Sequence, residues 1–266
     1  MRKASCIRLL GAVVVTGFLL AALFSSTYAS ASQAGGRVLP FLPGEKLVFG
    51  LKWAFIPAGQ AVLEVMPDTT YNGQQARHFR LTARTNEFMD NFFRVRNVID
   101  AYCDMDMTRT IGYKKEQREG SSIHDVIVEF DWENKVAYFF EDGKLERETK
   151  LMDGAFDPLS VFYRFRMEAM KTGGVNEIPV TDGKRMVMGR GEVVKREARK
   201  VKAGSFPSIL FEPELTHIGG VFEQSPHAKL QVWLSDDARK IVLRVRSAVA
   251  VGSFTAELED AYNVAY

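Results

Sequence analysis

Lys46-Leu47-Val48-Phe49-Gly50-Leu51-Lys52-Trp53-Ala54-Phe55, which follows Pro43-Gly44, is the stretch that decides the fold class. Leu47, Phe49, Leu51, Trp53 and Phe55 fall at every second position, with Lys46 and Lys52 on the other face. Side chains alternate across a strand, so this spacing predicts a long first strand with one buried face; a helix would place its apolar residues three and four apart. The period recurs in Phe79, Leu81 and Ala83, set against His78, Arg80, Thr82 and Arg84. Val126, Val128, Phe130 and Trp132 repeat it, and Val136, Tyr138 and Phe140 do so in the next segment. Near the end, Ile241, Leu243, Val245, Val249 and Val251 alternate, Gly252 breaks the run, and Phe254, Ala256 and Leu258 resume it as a closing hairpin.

Asn72-Gly73, Asp142-Gly143 and Asp182-Gly183 lie between candidate strands, where glycine adopts positive φ at no steric cost and antiparallel neighbours are joined. One helix interrupts the pattern. Asp157 can accept from the free N–H groups at its start, Pro158 suits the first helical position, and Gly173-Gly174 marks its end. Val161, Phe162, Phe165 and Ala169 share one face of it, opposite Arg164, Glu168 and Lys171, as for a helix laid on a sheet. A second helical turn is expected near Glu87 to Phe92. A flat sheet of this many strands would leave exposed edges and an uncovered face. The expected fold is therefore mainly β: a curved antiparallel sheet or open β-barrel with one short helix packed against it, two packed sheets being the alternative. Residues 32–266 are read as a single domain.

Ahead of it, Arg2, Lys3 and Arg8 precede the apolar run Leu9 to Phe24, and Ala29-Ser30-Ala31 supplies small residues for cleavage. These are the parts of a secretory signal peptide over residues 1–31, and they predict a periplasmic or otherwise exported protein with no spanning segment once processed. Cleavage removes three of the 35 Lys and Arg residues and none of the 33 Asp and Glu residues. A near-neutral mature chain gives no reason to expect nucleic acid as a partner. It keeps Cys103 alone, so no intramolecular disulfide can form.

No catalytic or metal signature stands out. His78, His124, His217 and His227 lack short spacing to other ligands, and Asp104 with Asp106 lacks the glycine and later glutamate of a calcium loop. No serine occupies a Gly-x-Ser-x-Gly frame, and Ser160 reads as a helix-start residue. Cys103 and His124 could pair only if neighbouring strands brought them together. No cofactor is expected. Two groups remain. Trp53, Phe55, Phe79 and Trp233 are candidate linings of a concave apolar face that would accept an acyl chain. Lys195, Arg196, Arg199 and Lys200 lie in the densest basic stretch, a candidate anion site for lipid phosphate or acidic glycan.

Several segments together resemble a known family. Pro43-Gly44-Glu45-Lys46-Leu47-Val48-Phe49 with Trp53 and Pro57-Ala58-Gly59, Asp157-Pro158-Leu159-Ser160, Val232-Trp233-Leu234-Ser235-Asp236-Asp237, and Gly252-Ser253-Phe254-Thr255-Ala256-Glu257-Leu258 are similar to an uncharacterised family of exported bacterial proteins, the domain of unknown function DUF3108. The resemblance spans nearly all of the mature chain and implies no site residues. A looser likeness, of shape alone, is to the half-open barrels of periplasmic lipoprotein carriers. The leading expectation is a non-enzymatic protein that binds a lipid or lipid-linked glycan of the envelope in a curved sheet. A structural or assembly factor that holds protein or polysaccharide partners is the alternative, and an envelope-polymer hydrolase using Asp104, Asp125 and Asp157 is the third.

Overall fold

The computed structural model describes residues 39–214, 229–249 and 252–264; residues 1–31, read above as an export signal, lie outside them. The chain forms β1 (Lys46–Trp53), β2 (Ile56–Val65), β3 (Thr69–Tyr71), β4 (Gln74–Thr85), helix α1 (Glu87–Asp90), β5 (Arg96–Asp104), β6 (Thr110–Glu119), β7 (Ser122–Asp131), β8 (Val136–Glu141) and β9 (Lys144–Lys150). Helix α2 (Ser160–Arg166) follows, then β10 (Val175–Thr181), β11 (Met186–Val201), β12 (Gly204–Pro213), β13 (Lys229–Ser235), β14 (Val242–Val249) and β15 (Gly252–Tyr262). They make one antiparallel sheet in the order β10-β11-β12-β13-β14-β15-β1-β2-β4-β5-β6-β7-β8-β9, with β3 paired to β4.

The first and last strands meet in its middle, Lys46 opposite Tyr262 and Trp53 opposite Phe254. The two edges, β9 and β10, do not share a ladder, so the sheet is not closed into a barrel. They are nevertheless drawn together. Phe156 bridges to Val180 in parallel, its N–H donating to Pro179 O at 2.9 Å, while Thr149 Oγ1 donates to Gly183 O at 2.7 Å. The apolar faces of β1 and β4 point inward as the alternation requires, with Leu47, Phe49, Phe79 and Leu81 all buried. At Gly59 on β2 a Cβ would run into the carbonyl oxygen of Arg84, so glycine is what lets β2 and β4 approach there.

Three details of the sequence reading are corrected. The first strand ends at Trp53 because Ala54 takes φ 51° and turns the chain, leaving Phe55 at a hairpin tip. On β8 the core residues are Ala137 and Phe139, opposite Phe130 and Val128 of β7. Val136, Tyr138 and Phe140 lie on the outer face, which apolar side chains on both faces of β8 concealed. Helix α2 is also shorter than expected: it ends at Arg166, well before Gly173-Gly174.

Asp157 does supply the start of α2, its Oδ1 accepting from Leu159 N at 2.7 Å and Ser160 N at 2.9 Å. The helix is not amphipathic in the expected sense, however. Ser160, Val161, Phe162, Tyr163, Phe165 and Arg166 are all buried, so α2 is enclosed on nearly every side rather than laid on a surface. The Tyr163 ring stacks on Phe79 at 4.0 Å and meets Phe41 edge-on at 5.2 Å, and Phe165 lies 4.9 Å from Phe211. Side chains of both halves of the sheet thus converge on the helix and fill the concave face between them.

Candidate functional site

The four aromatic candidates part company. Phe79 is completely buried in the packed core. Trp53 is half-buried and stacks on Phe254 at 6.4 Å. Trp233 is buried, 5% exposed, and packs with the hydrophobic core beside its strand partner Leu210. Arg199 lies over its ring at 4.3 Å, Arg244 at 6.0 Å, and Glu197 accepts its indole N–H at 2.7 Å. Phe55 projects into solvent, 87% exposed.

The basic stretch is laced to carboxylates. Glu197 takes Lys195 at 2.9 Å and Arg199 at 2.5 Å, and Arg196 donates to Asp236 at 2.8 Å, Thr172 Oγ1 at 2.7 Å and Met170 O at 2.7 Å. Lys200 remains exposed. An anion at Arg196 would have to displace these partners. The indole N–H of Trp233 and the cations of Lys195 and Arg199 hold the Glu197 carboxyl down, from its ordinary 4.5 to about 2. A depressed folded-state pKa contributes stability above the ordinary value that is lost as pH falls toward the folded one. Glu197→Gln should therefore show a smaller loss of melting temperature than the wild type between pH 4.5 and pH 2, measured by circular dichroism; identical acid profiles would contradict the role given to Glu197.

Among the described residues no catalytic group assembles from the remaining candidates; His217 and His227 lie outside them. Cys103 is buried beside Thr110 at one end of the sheet, and burial pushes its thiol well above the ordinary value, away from the reactive thiolate. His124 stands at the other end against Asp142, 3.0 Å away, so the two do not pair. Asp104 closes its own turn by accepting from Thr108 N at 2.6 Å. Asp125 meets Arg118 on the surface at 2.6 Å, and Asp157 is buried against Thr110. Sequence reasoning missed a tight outer-face cluster on β4 and β5, where Asp100 lies 2.5 Å from His78 Nε2 and 2.8 Å from Arg80 Nε. Burial raises the Asp100 carboxyl, but the hydrogen bonds from His78 and Arg80 outweigh it and the net shift is downward. Tyr102 stacks on that His78 at 4.7 Å, so the cluster is closed by its own partners. Among the described residues no group of three or more His, Cys, Asp or Glu side chains could hold a metal, and no helix is long and apolar enough to cross a membrane.

What does gather is apolar surface at one end of the sheet. Helix α1 is held there by Asn86, whose Oδ1 accepts from Met89 N at 2.9 Å and whose Nδ2 donates to Pro57 O at 2.8 Å. Asp90 receives Thr85 Oγ1 and pairs with Arg96 at 2.5 Å. Met89 is the buried anchor, which turns Phe88 and Phe92 outward, 58% and 60% exposed with ring centroids 5.3 Å apart. The bond from Asn86 to Pro57 ties this helix to the strand that leaves the Phe55 tip, and Ala54 N donates to Ser253 O at 2.7 Å to fix the tip itself. On the other side Gly120 N donates to Arg94 O at 2.7 Å, bringing up the β6–β7 turn.

Lys52, Arg84, Arg94 and Arg246 lie on or beside the strands that reach this end. Lys52 and Arg246 flank Thr255 in one cross-strand row. Arg84 hydrogen-bonds Gln60 at 3.2 Å, and Arg94 follows the second phenylalanine pair in sequence. Among the described residues no salt bridge joins Lys52 or Arg246 to a carboxylate, whereas Arg94 lies close enough to Asp90 to help lower its carboxyl, and Glu87 beside Phe88 is exposed. The sequence signal for this end was available in Phe88 and Phe92, the first beside the one buried residue of the short helix and the second in the turn that follows it.

The model of the family named Protein of unknown function (DUF3108) matches residues 48–259. The chain belongs to this family. Among solved structures, this member resembles a β-barrel-like protein of the domain of unknown function DUF1849 from Brucella abortus, at 12% identity and TM-score 0.59, over 86% of this chain and 100% of that one. A Bacteroides fragilis protein described as exported, with a YmcC-like fold, matches at 10% identity and TM-score 0.39 over 91% of this chain and 99% of that one. The first likeness supports the β-barrel-like fold, and neither carries a function. No curated protein matches the chain.

Proposed function

We propose that this DUF3108 protein is an exported, non-enzymatic component of the cell envelope that works through its surface, as a docking or assembly factor, rather than by carrying an acyl chain inside its sheet. The observation that carries this reading is the enclosed helix α2. The concave face a carrier would keep open is occupied by Tyr163 against Phe79 and Phe41, by Phe165 against Phe211, and by a buried Glu45–Arg166 ion pair. Carrier sites bury most of their ligand in a largely pre-formed apolar cavity. Export is supported by the charged start, apolar run and small residues of 1–31.

The hydrolase reading is disfavoured because Asp104, Asp125 and Asp157 stand apart, on a turn, an exposed strand and a buried helix start. Titration of the mature protein with a fluorescent acyl probe tests the proposal. No enhancement of probe emission is expected. A saturable enhancement with one-to-one stoichiometry would overturn the reading in favour of a carrier.

A further inference from the structure

We propose that the outer face of the sheet, where β15, β1, β2 and β4 run side by side, carries a groove that binds a neutral oligosaccharide. The inference rests on the reading that the protein acts through its exterior, and it names a ligand for that exterior. Pairing register builds the groove. Asp260, Val48, Val62 and Thr82 form one cross-strand row on the side of the sheet away from the buried Leu47, Phe49 and Leu63. The row of Tyr262, Lys46 and Glu64 runs along one side of it, and Gln60 and Arg84 stand on the other. Short side chains between longer ones leave a trough of about 610 Å³, within the size range of small-ligand sites. Asn263 Nδ2 donates to Gly44 O at 3.1 Å, which pins the end of β15 and holds the Tyr262 ring out beside the trough, 51% exposed.

Three observations select the occupant. First, the charges balance. The lining sets Lys46 and Arg84 against Glu64 and Asp260, with Lys46 3.2 Å from Glu64. Charges beside the trough are matched as well: Glu259, which lies over Gly50, pairs with Lys202 at 3.2 Å, and Arg80 pairs with Asp100 at 2.8 Å. A phosphate, an acidic glycan or a basic peptide would meet as much repulsion as attraction there, so the ligand is uncharged. Second, donors and acceptors are dense and of both kinds. Lys46 and Arg84 donate, Glu64 and Asp260 accept, and Gln60 does both. The Asp260 carboxylate is engaged by no hydrogen bond or ion pair among the described residues. A hydroxyl likewise donates and accepts, so a polyhydroxylated ring satisfies these groups where an apolar ligand would leave them unpaired. Third, Val48 and Val62 on the floor and Tyr262 at the rim offer apolar and aromatic surface to the C–H face of a sugar ring. An extended peptide is disfavoured, because all four strands are interior to the sheet and have no free edge to which it could add.

Isothermal titration calorimetry with chitotriose, cellotriose and maltotriose, and with trigalacturonic acid as the charged control, tests the proposal. Saturable binding of at least one neutral trisaccharide is expected, little changed by salt because the ligand carries no charge. Tyr262→Ala should weaken it roughly ten-fold and Asp260→Ala by at least as much, with melting temperatures near that of the wild type because both side chains are exposed. No saturable binding of any neutral trisaccharide, undiminished binding by either variant, or a preference for the acidic sugar would overturn the inference. The acyl probe reads the concave face and these sugars the outer one. If the sugars fail while the probe is excluded, the glycan site falls and the surface reading stands; uptake of the probe removes the surface reading itself.

Discussion

Arg166→Ala should cost about 3–5 kcal/mol of stability, the largest single effect expected in this protein, because it strands a buried carboxylate. Arg166 is 2% exposed and Glu45 1% exposed. The guanidinium holds Glu45 through two nitrogens, with Nη2–Oε2 at 2.8 Å, and it donates to Pro40 O and Arg239 O at 2.8 Å each. It also lies over the rings of Phe41 and Tyr163 at 5.4 and 5.7 Å. One side chain therefore ties α2 to the segment before β1 and to the β13–β14 turn. Without it, Glu45 must be buried unpaired, be protonated, or pull the entry segment open to water. In a domain of this size a loss of that order lowers the melting temperature by roughly 10 °C. Glu45→Leu combined with Arg166→Met should cost less than Arg166→Ala alone, since no charge is left without a partner. Thermal melts followed by circular dichroism decide it; an unchanged melting temperature in Arg166→Ala would contradict the packing described.

Phe79→Ala is the second large effect, and it bears on function as well as stability. Phe79 is fully buried, stacked on Tyr163 at 4.0 Å and edge-on to Phe41 at 5.6 Å. Truncating a phenylalanine in a filled core removes its burial and leaves a cavity, a loss of about 3–5 kcal/mol. Were the same ring the lining of a vacant ligand space, its removal would merely enlarge that space at modest cost. Urea denaturation separates the cases, with a lowered midpoint at unchanged slope expected here. A midpoint within error of the wild type would support an open concave face.

The strands were legible because the apolar residues alternate: β1, β4 and β15 bury Leu47, Phe49 and Leu51, Phe79, Leu81 and Ala83, and Phe254, Ala256 and Leu258 at the positions the sequence indicates. The signal failed where both faces are apolar. On β8 it put the core on the wrong face, and at Trp233 it gave no sign that Arg199 and Arg244 lie over the buried ring. Phe55 was read as strand because Ala54 gives no warning of a positive φ. The helix begins at Ser160, two residues after the Pro158 that the sequence suggested for its first position, but Asp157 was readable as the acceptor for N–H groups at its start. Its enclosure was not, because that depends on Glu45, which is far from Arg166 in sequence and looks like an ordinary residue after a turn. The basic stretch stood out by composition alone; its partners Glu197 and Asp236 decide that it is largely neutralised, and only the strand pairing shows them.

Native mass spectrometry of the protein, purified gently from the cells that make it and followed by lipid extraction, tests the central claim most directly. The filled concave face requires the mass of the processed chain alone, with no stoichiometric lipid in the extract. A lipid retained one-to-one, and lost when Phe79 or Trp53 is replaced by a charged residue that leaves the fold intact, would contradict it and return the protein to the carriers.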